Sequence, residues 1–217
     1  MVLEEDLVLI FLTETKLIVL EIEGIKSKLD RQQGLVVPSV RRGGGLALLW
    51  RNSMKVDVQT FSPHHIDAIV TDDHGNRKQR FTGFYGHPKT SRRDESRQLL
   101  EELERRHFIL WICMGDFNEI LHLGEKVGGK LRLELQMNNF KATINRSKLR
   151  DLGYIGANYT WSRKLGERGW VREHLDRALV SLDWLTLFPK VRLYHVFGPQ
   201  NSLDWTECSS KRKIVQV

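Results

Sequence analysis

Residues 108–118, Phe-Ile-Leu-Trp-Ile-Cys-Met-Gly-Asp-Phe-Asn, place a polar turn directly after an apolar run. The run over residues 108–114 has the length and apolar content of a buried β-strand. Asp116 and Asn118 are two residues apart, so an extended backbone would direct both side chains to one side of the sheet edge. There Asp116 can orient or deprotonate a water molecule, and Asn118 can donate to a phosphate oxygen. A polar turn that only closes the strand is the alternative for this motif alone.

Four further segments with the length and pattern of strands precede this one, at residues 7–12, 45–50, 66–70 and 81–85. Their hairpin-like succession argues against a purely βαβ topology, which needs a crossover helix between parallel strands. The segments with helical spacing come later, over residues 91–106 and 131–149. We therefore predict one mixed α/β domain, in which two packed, mostly antiparallel sheets are flanked by helices.

The two predicted helices each have one apolar side. In the first, the apolar side consists of Leu99, Leu100 and Leu103. In the second, residues at steps of three and four form it: Leu133, Met137, Phe140 and Ile144. Both patterns are typical of surface helices that pack on a sheet.

The composition excludes several classes of protein. With 217 residues, 34 Lys+Arg and 27 Asp+Glu, the chain has a net charge of +7. Its apolar runs are shorter than the roughly 18 residues that a membrane span needs, and Glu4, Glu5 and Asp6 stand where a secretory signal carries basic residues. Cys113 and Cys208 are far apart, which favours free thiols in a reducing compartment. We expect an intracellular protein, nuclear or cytoplasmic. Its charge suits a nucleic-acid partner or, alternatively, reflects solvated basic faces.

Three more positions are candidates for a site. Glu14 follows the first predicted strand and is a hard oxygen ligand suited to Mg²⁺, although Thr and Glu also favour a helix start. Tyr85 ends a strand and can offer its hydroxyl to a phosphate, or serve as a core aromatic. Asp176 lies among apolar residues, and a buried carboxylate needs a partner, either a catalytic His or the neighbouring Arg177.

The order of these motifs resembles a known family. From residue 13 onward the chain carries Thr-Glu-Thr-Lys, Gly-Gly-Leu-Ala, His-Ile-Asp-Ala, Gly-Phe-Tyr-Gly-His-Pro, Gly-Asp-Phe-Asn-Glu, Asp-Leu-Gly-Tyr, Tyr-Thr-Trp and Leu-Asp-Arg-Ala-Leu. This succession resembles the endonuclease/exonuclease/phosphatase superfamily (DNase I-like). It is most similar to the apurinic-type endonuclease domain of plant LINE non-LTR retrotransposons. The resemblance implies a four-layered α/β sandwich and Mg²⁺- or Mn²⁺-dependent hydrolysis of a DNA phosphodiester.

The resemblance also assigns roles to individual residues. Glu14 matches the metal-binding Glu, and Tyr85 the Tyr that contacts the phosphate. Asp116 matches the residue that activates the attacking water, Asn118 the one that positions the scissile phosphate, and Asp176 the Asp that orients the catalytic His.

The remaining family positions match less closely. Thr160 and Trp161 match a stretch near the DNA groove, with core packing as an alternative for Trp161. At residues 200–205 the family's Ser-Asp-His reads Gln-Asn-Ser-Leu-Asp-Trp, so Asp204 stands in for a metal-binding Asp and Trp205 occupies the place of the His.

The resemblance further implies an incomplete domain. The family's first strand, ending in Trp-Asn, has no counterpart here. We therefore expect a single domain over residues 1–217 that lacks this strand, with a divergent tail over residues 206–217. His174 and His195 are the nearby histidines, but neither has the place of the catalytic His in the family order. Weak or absent catalysis follows, because losing a general acid–base group costs about 10² to 10⁴ in rate.

Three functions remain open at this point. The first is a DNA endonuclease-type domain derived from a retrotransposon. The second is a nucleic-acid-binding remnant without catalysis. The third is a phosphoesterase that acts on a small phosphorylated substrate, which ranks last because residues 151–154 and 175–179 favour the retroelement branch.

Overall fold

Two sheets packed face to face form the centre of the protein. The computed structural model describes residues 9–15, 31–39, 44–71, 77–106 and 109–195, together with residues 24, 26 and 27. The smaller sheet has the strand order β1-β3-β2 and is antiparallel throughout. Numbered in chain order, its strands are β1 (Leu9–Thr13), β2 (Gln33–Val37) and β3 (Leu46–Trp50).

The larger sheet has six strands in the order β4-β5-β6-β7-β13-β9. These are β4 (Lys55–Ser62), β5 (His65–Thr71), β6 (Lys78–Tyr85), β7 (Trp111–Asp116), β9 (Leu149–Asp151) and β13 (Asp176–Ser181). Within this sheet the pair β6 and β7 is parallel, and the other pairs are antiparallel. A parallel pair needs a crossover, and helix α1 (Arg93–Glu104) lies within it.

Two helices cover the outer face of the six-stranded sheet. They are α1 and α2 (Glu134–Arg146), and a short α3 (Leu182–Leu187) follows β13. Buried residues of α1 and α2 pack with those of β7 and β13 in one cluster, which includes Leu100, Leu103, Trp111, Cys113, Phe140, Ile144 and Leu179. The prediction for Leu133 is wrong. It precedes α2 in an extended conformation and is 66% exposed, because the helix spans Glu134–Arg146 and not the whole segment 131–149.

The core between the sheets is apolar and continuous. It joins side chains of both sheets: Phe11, Val37, Leu46, Leu48, Ile66, Ala68, Val70, Phe81, Tyr85, Ile112, Met114, Ala178 and Val180. On the other face of the small sheet, Ile10, Leu12, Ala47 and Leu49 are also buried. Both faces of this sheet are therefore withdrawn from water, as in a layered sandwich.

A buried ion pair fixes the centre of the large sheet. Arg80 on β6 donates through Nε and Nη2 to the two carboxylate oxygens of Asp67 on β5, at 2.8 and 3.1 Å. Its Nη1 donates to the carbonyl oxygen of Leu103 in α1 at 2.7 Å. Both charged side chains are fully buried, so the bidentate pairing compensates for their loss of water.

Two small sheets complete the strand inventory of the described ranges. The first contains β8 (Lys126–Val127), β11 (Trp161–Lys164) and β12 (Trp170–Glu173), and the second pairs β10 (Ile155–Gly156) with β14 (Tyr194–His195). Single-turn 3₁₀ helices span Thr90–Arg92, Leu123–Glu125 and Gly166–Arg168.

The mixed α/β prediction is confirmed. Multi-stranded sheets are flanked by helices, and the antiparallel pairs of the large sheet exclude a purely parallel, doubly wound topology. Within the described ranges, no helix has the length and apolar character required to cross a membrane. Cys113 is a free, buried thiol. Asp204, Trp205, Cys208 and the predicted tail lie outside the described residues.

Candidate active site

Three of the predicted site residues lie side by side on adjacent strands. Tyr85 ends β6, Asp116 ends β7, and Asp176 begins β13. Asp116 is the direct register partner of Tyr85 on one side and of Asp176 on the other. Directly paired residues project to the same face of a sheet. The strand order therefore brings together a phenol and two carboxylates from distant parts of the sequence. The two that are farthest apart, Tyr85 and Asp176, are separated by 91 positions.

Glu14 joins this row from the other sheet. It directly follows β1 and has a left-handed backbone, with φ of 50°. The Tyr85 hydroxyl donates to Glu14 Oε1 at 2.8 Å. Burial raises the pKa of Tyr85, and the negative charges of Glu14 and Asp116 raise it further. The phenol is therefore protonated at neutral pH, and its single hydrogen is used by Glu14.

The turn after β7 is held at several points. The backbone N–H of Asn118 donates to Asp116 Oδ1 at 2.9 Å, as in an Asx turn. The side-chain amide of Asn118 donates to the carbonyl oxygen of Gly86 at 2.9 Å, and the N–H of Gly86 donates to the carbonyl oxygen of Asp116 at 2.6 Å. Asn118 has a φ of 56°, so the backbone is not extended there. The expected same-side placement of Asp116 and Asn118 is therefore replaced by a turn that folds Asn118 toward β6.

Gly86 is a site residue that the sequence interpretation did not single out. A Cβ at this position would lie 2.1 Å from the carbonyl oxygen of Phe117. Only glycine allows the two loops to approach this closely without a shift of the backbone. The sequence signal for Gly86 was its position directly after Tyr85, within Gly-Phe-Tyr-Gly-His-Pro.

Glu119 connects the same turn to helix α1. It is buried, Arg97 donates to its Oε1 at 2.5 Å, and Arg93 donates to its Oε2 at 3.4 Å. Burial raises the pKa of Glu119 to about 7, and the positive charge of Arg97 opposes this shift. The pairs with α1 limit the freedom of the turn that carries Asn118.

Asp176 is positioned through its backbone. Its N–H and that of Leu175 each donate to Thr160 Oγ1 at 3.0 Å. Thr160 thus fastens the start of β13 to the segment that leads into β11. Trp161 packs against a cluster of Ile120, Met137 and Leu175, which agrees with the core-packing alternative for this side chain.

Arg177 faces other carboxylates. It donates to Asp151 Oδ2 at 2.8 Å and also to Glu125. Neighbouring residues of a strand point to opposite faces, which separates the surroundings of Arg177 from those of Asp176. The structural pairing of Arg177 is therefore made with Asp151 and Glu125.

His174 and His195 lie together with Tyr154. The ring centroid of His174 is 4.4 Å from that of Tyr154 and 5.0 Å from that of His195. Burial lowers the pKa of His174 to about 4, and the charge of Arg177 lowers it as well. A neutral imidazole packed edge-on against aromatic rings is typical of a structural cluster.

Glu14 suits a divalent cation as an oxygen ligand. Among the described residues there is no group of three or more His, Cys, Asp or Glu with metal-site geometry. Mg²⁺ sites in proteins that act on phosphates generally use one or two carboxylates and complete the shell with water and substrate. The Glu14 carboxylate, which the Tyr85 hydroxyl orients, fits a site of this kind.

A basic face lies on the hairpin that follows Thr160. Strands β11 and β12 pair Ser162 with Arg172 and Lys164 with Trp170. Lys164, Trp170 and Arg172 are exposed, and the Arg172 guanidinium lies 6.0 Å from the centre of the Trp170 ring. Because Thr160 ties this hairpin to Asp176, the basic face has a fixed position relative to the row.

Comparison with known proteins gives one family and several similar folds. The model of the Endonuclease/Exonuclease/phosphatase family matches residues 1–197. The endonuclease domain of TRAS1, a telomere-specific non-LTR retrotransposon, superposes with a TM-score of 0.53 at 13% identity, over 77% of this chain and 80% of that one. No curated protein sequence matches this chain.

Two further solved structures have the same fold. The 3'-5' exonuclease NExo from Neisseria meningitidis has a TM-score of 0.58 at 18% identity, over 85% of this chain and 80% of that one. The AP endonuclease LMAP from Leishmania major has a TM-score of 0.55 at 17% identity, over 80% and 69% of the two chains. A second structure of NExo, in which a variant of that protein is bound to a product DNA hairpin, matches this chain with a TM-score of 0.54 at 16% identity. At these identities the likeness concerns the fold.

Proposed function

Because this chain belongs to the endonuclease/exonuclease/phosphatase family, we propose that it is a DNA endonuclease-type phosphodiesterase that uses Mg²⁺ or Mn²⁺. The observation that carries the proposal is the row of Tyr85, Asp116 and Asp176, with Glu14 bonded to Tyr85 from the second sheet. A row of acidic groups beside a phenol suits hydrolysis of a phosphate ester, in which a proton must leave water and negative charge must be compensated.

Asp116 accepts the proton of the attacking water in this proposal. It is buried at 2% exposure, and the Asn118 N–H holds its Oδ1 in a fixed orientation. A fixed carboxylate at the end of a rigid strand avoids the reorganisation that a mobile base would require.

Asn118 positions the phosphate. Its side-chain amide has two N–H groups, and one of them donates to the Gly86 carbonyl oxygen at 2.9 Å. This bond leaves the other N–H with a set direction. An N–H aimed at the phosphate stabilises the charge that grows on its oxygens as the bond to water forms.

Glu14 would hold the divalent cation, and Tyr85 would orient Glu14 for that purpose. The cation supplies compensation for negative charge on the phosphate and on the leaving oxygen. In the observed geometry Tyr85 gives its hydrogen to Glu14, so its first role is to position a ligand rather than to contact the phosphate.

Asp176 would orient a catalytic His in a complete family site. In this chain Trp205 occupies the place of that His. We therefore propose that hydrolysis is slow, by the factor of about 10² to 10⁴ that a general acid–base group contributes.

The proposed substrate is DNA. The exposed face with Lys164, Trp170 and Arg172 combines positive charge with an aromatic ring, which suits a nucleic-acid backbone and its bases. Thr160 would set the distance between this face and Asp176, and Trp161 would support it from the core. The net charge of +7 agrees with such a partner.

We propose an origin in a non-LTR retrotransposon of the plant LINE type. The motif order supports this origin, and the fold of the TRAS1 endonuclease domain is similar.

The test of function is nicking of a supercoiled plasmid with Mg²⁺, with Mn²⁺ or with EDTA, comparing the wild type with Asp116→Ala. Slow, metal-dependent nicking that Asp116→Ala abolishes is expected. Equal nicking by both proteins would contradict the proposal.

The second candidate is nucleic-acid binding without catalysis, which Trp205 and the basic face favour. It predicts DNA binding that weakens steeply as salt rises, because phosphate contacts release counterions. Binding without nicking would support this candidate over the first. Binding that is insensitive to salt would contradict both.

A further inference from the structure

Two histidines lie beside Tyr85 in addition to the residues of the row. His64 precedes β5 and stacks on the Tyr85 ring, with centroids 6.1 Å apart and planes within 8° of parallel. His87 stacks on His64 at 5.1 Å, with an angle of 28°. The three rings form one continuous stack, called the histidine stack below.

The histidine stack is coupled to the candidate active site through the backbone. Gly86, which separates Tyr85 from His87, accepts a bond from the Asn118 amide and donates one to the Asp116 carbonyl oxygen. His87 therefore directly follows Gly86, whose carbonyl oxygen holds the side chain of Asn118. A phosphate bound at the stack would be a neighbour of the phosphate that Asn118 positions.

The hydrogen bonds of the rings define which nitrogens face a ligand. His64 Nδ1 lies 2.9 Å from the Tyr85 carbonyl oxygen, and because a carbonyl only accepts, Nδ1 carries the hydrogen. His87 Nδ1 accepts from the Lys89 N–H at 3.3 Å, so in the neutral ring the hydrogen is on Nε2. The Nε2 atoms of both rings have no hydrogen-bond partner among the described residues; His64 is half-buried, and His87 retains 7% exposure.

The surroundings of the stack favour an anion. Lys89 is exposed beside His87, and Arg92 follows in the same loop, where it pairs with Glu95 at the surface. The N–H of His87 itself is already used by Ser96, which fixes the backbone at this point. The stack thus combines a fixed backbone, a neutral N–H donor at His87 and nearby positive charge.

We propose that His64 and His87 form a subsite for a phosphate of the DNA backbone, adjacent to the phosphate that is cleaved. This inference rests on the proposed function, since it takes DNA as the ligand. His87 Nε2–H donates to a phosphate oxygen. His64 holds the His87 ring by stacking, and the bond from its Nδ1–H to the Tyr85 carbonyl oxygen fixes its own ring. The subsite adds a directional contact to the general attraction of the basic face.

The first test observes the wild-type protein. NMR signals of the histidine rings are followed while a short DNA duplex is added without divalent metal, and in a parallel titration with inorganic phosphate. The ring signals of His64 and His87 are expected to shift with DNA at the concentrations that saturate binding. His122, whose side chain is 65% exposed, is the internal control and is expected to stay unchanged.

The second test uses matched variants. His87→Phe keeps an aromatic ring in the stack and removes the Nε2–H donor, and it is expected to raise the Kd for the duplex about tenfold. His64→Phe keeps the ring that supports His87 and is expected to change the Kd less. His87→Gln restores a donor near the Nε2 position and is expected to recover most of the affinity. His122→Gln is expected to bind as the wild type does. Thermal unfolding of every variant verifies that it is folded.

The outcomes separate this inference from the proposed function. If the wild type binds DNA but the histidine signals do not move and the Phe variants bind equally well, the subsite is wrong and DNA binding stands. A response to inorganic phosphate alone, without DNA binding, would overturn the assignment to DNA. No binding of DNA by the wild type would overturn both the subsite and the proposed function.

Discussion

The hydroxyl of Tyr85 donates to Glu14 Oε1 across 2.8 Å, although 71 positions separate the two residues in sequence. Tyr85 ends a strand of the six-stranded sheet and Glu14 follows a strand of the three-stranded sheet. One hydrogen bond therefore links the two sheets at the end where the carboxylates gather. It also determines the direction of Glu14, whose left-handed backbone places it in a tight turn.

Replacing Tyr85 by Phe removes this bond and leaves the ring in place. We expect the affinity for a divalent cation to fall by about tenfold, since partners that orient a metal ligand contribute this much or more. Calorimetric titration with Mn²⁺ measures the effect directly. Tyr194→Phe is the matched control, because its side chain is exposed at 62%. Unchanged Mn²⁺ affinity in Tyr85→Phe would show that Glu14 does not depend on the phenol.

Gly86→Ala is expected to disturb the turn that carries Asn118. The new Cβ would meet the Phe117 carbonyl oxygen at 2.1 Å, so the two loops must separate. Strain of this kind costs about 1–3 kcal/mol in the free energy of unfolding, which urea denaturation measures. Gly24→Ala, where no atom lies within 4 Å, is the control and should be at least as stable as the wild type, because Ala is favoured over Gly in a helix. Equal stability of both variants would contradict the close approach.

Asp67→Ala leaves the guanidinium of Arg80 buried without its carboxylate. Removing one partner of a buried pair costs about 3–5 kcal/mol, and we expect a loss of this size in urea denaturation. The exposed pair of Arg92 and Glu95 gives the comparison, since Glu95→Ala should produce no measurable change. A loss of unfolding free energy well below this range would mean that water reaches the Arg80 guanidinium in the centre of the sheet.

Acid should destabilise the fold through His65. Burial lowers the pKa of this ring to about 4, and its nitrogens contact Thr60 at 3.0 Å and Ser62 at 2.8 Å. In the unfolded chain the ring has its ordinary pKa near 6.5, so it takes up a proton there first and acid favours unfolding. Stability should therefore fall as the pH drops from about 6.5 to about 4, as measured by thermal unfolding.

His65→Asn isolates this contribution, because Asn is neutral throughout the range. Its unfolding midpoint is expected to depend less on pH over the same interval. His174, whose pKa is also lowered to about 4, contributes a dependence of the same sign that remains in the variant. Identical pH profiles for wild type and His65→Asn would exclude His65 as a cause.

The sequence predicted the strands and, with them, the polar residues that stand at strand ends. The runs that became β3, β5, β6 and β7 were evident from apolar pattern alone, and the ends of two of these strands carry Tyr85 and Asp116. Their convergence with Asp176 also followed from family order. The strand after residue 110 extends through Asp116, two residues beyond the apolar run, because pairing with β13 continues past the last apolar side chain.

Other features depend on contacts between distant segments and have no local pattern. Thr160 binds the backbone of Asp176 from a separate loop, and its hydroxyl is like any other in the sequence. Asn118 turns toward Gly86 because the strand ends at Asp116 and Asn118 itself has a left-handed backbone, which the alternation of a strand does not predict. Leu133 follows the helical spacing but lies before the helix begins, since the spacing of apolar residues does not define where a helix starts.

The central claim is that Asp116 acts as the base in metal-dependent hydrolysis of DNA. Its most direct test is the rate of nicking of supercoiled plasmid by Asp116→Asn, which keeps the shape of the side chain and removes its charge. Asp57→Asn, at an exposed position of β4, is the control. We expect slow nicking by the wild type and by Asp57→Asn in Mg²⁺, and a rate at least about 10²-fold lower for Asp116→Asn. Nicking by Asp116→Asn at the wild-type rate would contradict this claim.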